Sequence, residues 1–450
     1  MVTLRDYLNL LEDHNELLII REEVDPCYEL SAILREASGF AGGPAVLFNS
    51  VKGFPGRRVV GNLLASRKKM ALALNTNEAK LKEAYLTGRE KSLPPEVVIN
   101  GPVQENIVSG EIDLLSILPA PLFHEGDAGH YLTSAVIMAK DPETGEQNAG
   151  IHRVQLKGGN RLGIFLANPP IAEYLAKAEK RGEPLPIAIT LGWHPAAMIA
   201  AAAPVPRGQF TKLHLAGGLL GGPVQLVQAK TVDLMVPADG DIILEGHVLP
   251  GIREKEGPFG ESSGYYFEHN SPVVEVTAVT HRNDFILQVI QPWGIETEVI
   301  LAVCSGSELW QELKKKVPGV IDVGYLPGAL AFQGVISVAG DMKREEIKRL
   351  IHLSLSISSS LKHVIIVDED IDVHNPREVL WALATRFQAH RDLTVVDGIE
   401  GYPIDPSARN NPCAKMGMDA TARPGGPMSA DFRRLVTPEA SKEKAQKILR

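Results

Sequence analysis

REKEGPFGESSGYYFEH runs from Arg253 to His269, and its reading decides how the middle of the chain is built. Pro258 removes a backbone donor, while Gly257 and Gly260 loosen the chain, so the spacing predicts a shaped loop here and excludes a helix. Glu256 and Glu261 bracket the Gly-Pro-Phe-Gly core. On a straight strand, positions five apart face opposite sides. A loop that bends them together would let two carboxylates share one cation and titrate apart, one of them keeping its proton at neutral pH. A solvated acidic loop is the plainer alternative.

Outward from this segment the texture is β-rich. TSAVIMAKD, HRVQLKG, RLGIFLA, PIAITLGWH, VQLVQAKTVDLMVPA, IILEGHVLPG and VVEVTAVTHR are short apolar runs separated by turn signals, the pattern of a β-barrel or sandwich. PIAEYLAKAEKRGE and PAAMIAAAA interrupt it as helices. Towards the N-terminus, TLRDYLNLLEDHNEL has helical spacing behind Thr3, a suitable N-cap. Strands at LLIIREEVDP, PAVLFNSV and RRVVGNLL alternate with helices at YELSAILREASGF and NEAKLKEAYLTGRE. Towards the C-terminus, SELWQELKKKVPG is a helix placed to link two domains. Beyond it ALAFQGVISVAG, REEIKRLIHLSLSIS, HVIIVDEDIDV, PREVLWALATRFQ and DLTVVDGI alternate strand and helix. NNPCAKMGMDATARPGGP is expected to be a loop, and TPEASKEKAQKILR a terminal helix. No internal repeat is visible.

The bulk properties narrow the partners. The 450 residues suggest two or three domains with a sizeable core. A net charge of −9 without a basic run argues against nucleic acid and anionic membranes. Cys27, Cys304 and Cys413 lie far apart with no paired motif, which suits a reducing cytoplasm and disfavours disulfides or a zinc ribbon. The opening segment carries acids throughout and does not read as a signal peptide. AAMIAAAAPVP is too short to span a bilayer.

Other motifs have plain readings. GGLLGG at Gly217–Gly222 matches no phosphate-binding fingerprint and reads as a turn. Asp368, Glu369, Asp370 and Asp372 in VDEDIDVHN lack EF-hand spacing and suit a strand end leading into a helix N-terminus, through the helix dipole. His152, His194 and His214 make no metal pattern and read as ordinary hydrogen-bonded histidines. Arg153 in QNAGIHRVQL enters a strand, where it could clamp a phosphate or carboxylate or pair at the surface.

Taken together, NAGIHR, EGHVLPGIREKEGPFGE, HVIIVDEDIDVHNPREVLWALATR and LPIAITLGWHP resemble the UbiD family of decarboxylases, in the right order and over nearly the whole chain. The texture is closest to the branch acting on hydroxybenzoate-like aromatic acids. The resemblance implies an α/β plus β fold: an N-terminal α/β portion (1–104), a split β-barrel flavin-binding domain (105–304), a connecting helix (305–320), a C-terminal α/β oligomerisation domain (321–435) and a terminal helix (436–450). It implies prenylated FMN as cofactor, with a flavin prenyltransferase as its source, and a homodimer or homohexamer. It also implies reversible non-oxidative decarboxylation of an aromatic, heteroaromatic or conjugated acid, with that acid and CO2 as the small-molecule partners. Decarboxylation of a small conjugated acid such as anhydromevalonate phosphate, or flavin binding without turnover, are the alternatives.

Carried over residue by residue, the family's Glu–Arg–Glu network becomes Arg153, Glu256 and Glu261, with Glu261 delivering the proton that replaces CO2. Asn148, Gly150, Ile151, Arg153 and Lys212 fall at the cofactor, and Trp293 in QPWGIETEV at the wall of the substrate pocket. The family's Mn2+ ligands are an asparagine, a histidine and a glutamate. Asn148 matches the first. Phe165, Pro169 and Pro170 occupy the histidine's neighbourhood, and Lys212 stands at the glutamate's place, with His214 the candidate if gaps shift the count. A lysine cannot ligate a metal while protonated, but it can neutralise a phosphate directly. Mn2+ and the K+ that accompanies it are therefore left open.

Overall fold

The computed structural model describes residues 3–39, 42–166, 169–205, 208–328, 330–408, 412–422 and 434–449. The chain divides into two compact units, one comprising Met1–Glu308 with Pro327–Ala331 and Tyr402–Arg409, the other Leu309–Leu326, Phe332–Gly401 and Asn410–Arg450.

The first unit opens with the helix Leu4–Asp13, capped by Thr3 and Asp6, each side chain bonding the other's backbone N–H. Its buried stripe is Leu4, Tyr7, Leu8 and Leu11. A four-stranded sheet follows in the order Leu17–Val24, Ala45–Val51, Arg58–Gly61 and Ile286–Gln288. Its last strand, Ile286–Gln288, comes from far down the chain, beyond the strands of the central sheet.

That central sheet has seven strands in the order Ile242–Gly260, Leu185–Leu191, Tyr131–Lys140, Gln147–Leu156, Arg161–Ile164, Tyr266–His281 and Asn106–Ser109. The first and sixth also pair with each other, from Ile242 opposite His281 to Gly260 opposite Tyr266. Alternation sorts the side chains into two cores. Ala135, Ile137 and Ala139 join Val154, Leu162 and the helix Ile171–Lys180, while Val136, Met138 and Ala149 join the helices Pro195–Ala202 and Lys212–Leu220. Each fully buried aliphatic side chain contributes roughly 1.5–3 kcal/mol. Strands covered on both faces read as continuous apolar runs, as these do.

The predicted loop at Arg253–His269 is largely strand. Arg253–Gly260 continues the strand from Ile242, Tyr266 starts the next one, and only Glu261–Tyr265 turns between them. Antiparallel pairing offers each N–H a partner, which outweighs the local looseness of the glycines. GGLLGG is not a free turn either. It ends the helix Lys212–Leu220, with Gly221 in the left-handed conformation that terminates helices. A short helix at Arg67–Ala73, capped by Ser66, was not foreseen. The predicted helix at Ser307 begins at Ile295 and runs to Lys316.

The second unit is a five-stranded sheet in the order Val320–Tyr325, Gln333–Val338, His363–Asp368, Cys413–Asp419 and Leu393–Ile399, with helices Arg344–Ile357 and Pro376–Arg386. Cys413–Asp419 lies where a loop was expected, and residues 423–427 of that expected loop fall outside the described residues. The acids of VDEDIDVHN serve Arg386 more directly than a helix dipole: Nη1 reaches Asp368 at 2.9 Å, and Nη2 reaches Asp370 at 2.7 Å. A helix Glu439–Leu449 closes the chain. Among the described residues, no helix is long and apolar enough to cross a membrane.

Candidate active site

Arg153 lies in the strand Gln147–Leu156 and meets the strand Ile242–Gly260 in the interior. Its Nε donates to Glu256 Oε1 at 3.0 Å and its Nη2 to Oε2 at 2.7 Å. This two-pronged geometry is the strongest form of the arginine–carboxylate pair. The remaining prong, Nη1, pairs with Glu261 Oε1. Glu256 is fully buried and Arg153 nearly so, while Glu261 is partly exposed.

The strand brings together two acids that ideal alternation would separate. Its pairing register breaks between Glu256 and Phe259, and Glu261 already belongs to the turn. In that turn the Glu261 N–H donates to Tyr265 O, and the Gly264 N–H to Glu261 O, each at 2.9 Å.

Aromatic rings wall the ion cluster. The guanidinium carbon lies 4.5 Å from the Phe165 ring centre and 5.1 Å from that of Phe259. Phe165 stacks on His269 at 4.1 Å, and Tyr131 on Phe259 at 4.2 Å. Burial, and then the charge of Glu256, push the Tyr131 hydroxyl far up, so it stays a neutral donor. The low-polarity wall strengthens the pairing inside it.

A second cluster lies on the same strand. Asn148 Oδ1 accepts the backbone N–H groups of Lys212 at 3.0 Å and Ala149 at 2.9 Å. Lys212 is the first residue of its helix, behind Thr211, whose hydroxyl bonds His214 Nδ1 at 2.7 Å. The Lys212 ammonium donates to Ala201 O at 2.7 Å, and burial pulls it down to about 8. His152 is pulled down to about 3 by burial and then by the charge of Lys212, and its buried Nε2 has no hydrogen-bond partner among the described residues. A Cβ on Gly150 would sit 2.8 Å from that nitrogen, so the bare glycine makes room for the ring. Ile151 is half-buried beside it.

Trp293 sits beside the turn that carries Glu261. Its indole packs on Gly264, where an added Cβ would lie 3.1 Å from the ring. The Arg35 guanidinium covers the ring at 3.9 Å. Trp293 is 45% exposed, which leaves it accessible to a ligand.

Phe123–Tyr131, FHEGDAGHY, drew no expectation from its sequence, yet it sets Asp127 and His124 against Gly260 outside the glutamate turn and the buried Tyr131 against Phe259. Two histidines and two acids within nine residues, just before an apolar strand, were the available signal.

A buried arginine gripping two carboxylates is an arrangement in which a proton can be held on one acid while the other stays ionised. Three family models match the chain: the 3-octaprenyl-4-hydroxybenzoate carboxy-lyase N-terminal domain over residues 8–85, its Rift-related domain over 96–294 and its C-terminal domain over 299–420. The chain belongs to the UbiD family. It is 32% identical to the phenolic acid decarboxylase of Bacillus subtilis, over 99% of this chain and 98% of that one. It is 33% identical to the anhydromevalonate phosphate decarboxylase of Methanothermobacter thermautotrophicus, over 99% and 100%. Among solved structures, the UbiD-class enzyme HmfF from Pelotomaculum thermopropionicum in complex with FMN superposes with a TM-score of 0.94 at 38% identity, covering 99% of both chains. An evolved dimeric form of HmfF holds prFMN, at TM-score 0.89 and 37% identity over 98% of both chains.

Proposed function

We propose that this chain is a reversible, non-oxidative decarboxylase of an aromatic, heteroaromatic or conjugated carboxylic acid, working with prenylated FMN. The observation that carries the reading is the single guanidinium of Arg153 shared by Glu256 and Glu261. A decarboxylase of this kind must put a proton where CO2 leaves. Glu256, clamped through both oxygens, fixes the arginine. Glu261, held by one prong at the edge of the turn, is free to hand its proton to the substrate carbon and to take another from water. Trp293, 45% exposed beside the glutamate turn, provides an aromatic surface against which a planar acid can lie.

Prenylated FMN, when bound, supplies the electron sink for the departing carboxylate. The residues present fit its phosphate. Lys212 brings a cation and a helix N-terminus, and Gly150, Ile151 and Arg153 line the strand that leads from there to the acids. They fit a divalent metal poorly. Both lone pairs of Asn148 Oδ1 are taken by backbone N–H groups, which also settles which amide atom is the oxygen. No group of three or more His, Cys, Asp or Glu suited to a metal occurs among the described residues.

The finer architecture belongs to the same proposal. Pairing of the first and sixth central strands supports a split barrel holding the flavin. The boundaries at 104, 304, 320 and 435, a homodimer or homohexamer built on the C-terminal domain, a cytoplasmic site of action and a prenyltransferase as cofactor source complete it.

The test is to co-express the protein with a flavin prenyltransferase, record the absorption spectrum and cofactor mass, and measure CO2 release from a panel of acids. The panel holds phenolic and heteroaromatic acids together with anhydromevalonate phosphate, since the relative acting on the latter is as similar as the phenolic one. Release from a planar aromatic acid is expected. A cofactor-loaded protein that turns over only anhydromevalonate phosphate would move the assignment to the small acid, and one inert to the whole panel would overturn it.

A further inference from the structure

The segment 124–128 clasps the glutamate turn from outside. Asp127 Oδ1 accepts the Gly260 N–H at 2.8 Å. The Ala128 N–H donates to Pro258 O at 2.7 Å, and the Gly126 N–H to the Tyr266 hydroxyl at 3.1 Å. The other oxygen of Asp127 accepts the His124 N–H at 2.9 Å and lies 3.5 Å from His124 Nδ1. The Asp127 side chain is completely enclosed. The His124 ring presses on Gly260 so closely that a Cβ there would lie 2.7 Å from Nδ1.

Gly260 ends the strand, and the next residue is Glu261. Gly260 opposite Tyr266 is the last rung of the sheet, and beyond it the chain is held by the turn's own bonds, the Glu261 N–H to Tyr265 O and the Gly264 N–H to Glu261 O. A neutral acceptor would satisfy one amide at lower cost than a buried carboxylate, which carries a desolvation penalty of several kcal/mol. The carboxylate does more: its two oxygens tie two separate segments, one at His124 and one at Gly260. We infer that Asp127 is a positioning residue, fixing the strand end from which Glu261 delivers its proton. This rests on the reading of Glu261 as the acid. A displacement of about 1 Å in a reacting group can cost about 10²-fold in rate, so a loosened anchor reads out in turnover.

Three variants separate the possibilities, each loaded with prenylated FMN and checked for bound flavin by absorbance. For each, kcat and KM for decarboxylation are measured, with exchange of the product's new C–H against D2O, which needs the acid but not CO2 loss. Asp127→Ala is expected to keep its flavin and KM, and to lose about tenfold or more in both kcat and exchange. Asp127→Asn, which keeps an acceptor for the Gly260 N–H, is expected to recover much of both. A flavin-loaded Asp127→Ala with parental kcat and exchange overturns the inference. Where Asp127→Ala does not fold, Asp127→Glu decides, because it keeps the charge but shifts the acceptor by one methylene: parental kcat overturns the inference, and a tenfold loss of exchange supports it. Glu261→Gln runs alongside. If it turns over normally, the acid assignment and this inference both fall. If it is inactive while Asp127→Ala is normal, only the positioning role falls.

Discussion

Arg153 holds Glu256 with two prongs and Glu261 with the third, so one side chain sets the position of both acids. The grips are unequal. Glu256 is bound through both oxygens inside the pairing ladder, opposite His269, whereas Glu261 stands beyond the last rung.

Replacing Glu261 by Gln should therefore remove the proposed proton donor without disturbing the scaffold. We expect retained flavin, an unchanged melting profile and a loss of roughly 10²-fold or more in decarboxylation, the size of a general-acid contribution. Steady-state CO2 release from the loaded variant checks it, and near-normal turnover would sink the assignment.

Arg153→Lys should be severe for a different reason. Lysine is a point charge without a fork, and it cannot hold two oxygens of Glu256 and one of Glu261 together. Breaking a buried pair costs about 3–5 kcal/mol. The variant should melt earlier and lose at least about 10²-fold in rate. A lysine variant matching the parent in both respects would refute the shared-cation arrangement.

Lys212→Ala tests the phosphate site without any turnover. A charge-assisted bond contributes about 1.5–3 kcal/mol, so FMN should bind about 10- to 100-fold more weakly. Lys212→Arg should bind more tightly than Lys212→Ala. Fluorescence titration of the flavin-free protein reads this directly. Equal affinities in parent and Lys212→Ala, with stoichiometric manganese in the loaded parent, would instead favour a metal.

A pH effect on stability follows from His194, whose Nδ1 accepts the Ala196 N–H at 3.1 Å and caps the helix Pro195–Ala202. Burial pulls this ring from 6.5 to about 4. The folded state therefore binds fewer protons than the unfolded state below pH 6.5. The stability it contributes is complete above pH 6.5 and is lost as pH falls towards 4, by roughly 3 kcal/mol at most. Asparagine caps equally well and does not titrate. Urea unfolding at pH 7 and pH 4.5 should show a smaller acid loss in His194→Asn than in the parent, and parallel losses would reject the account.

Much of this was legible in the residues themselves. Thr3 capping its helix, the apolar runs of the central strands and the alternating C-terminal unit all declare themselves through periodicity. The site was legible in part: Glu256 and Glu261 stood out by composition, but Arg153, more than a hundred residues away along the chain, was joined to them only through the family resemblance. No local rule sees such a contact. The same blindness turned a strand into a loop at Arg253–Gly260, because glycine and proline propensities say nothing about a partner strand at Tyr266–His281. Asp127 was invisible for a related reason: its importance lies in one bond to Gly260, and an acid in EGDAG otherwise reads as a solvated turn.

The strand that carries Glu256 pairs along the central sheet, interrupted by irregularities after Glu245, Val248 and Glu256. The buried Arg153–Glu256 pair therefore also bears on register. A slip of one residue beside Arg153 would replace Glu256 by Lys255 or Gly257. The first sets two cations face to face in the interior, and the second leaves a buried arginine unanswered. A slipped strand would thus carry the cost of an unanswered buried charge, so the pair proposed to act in proton transfer also favours the aligned register.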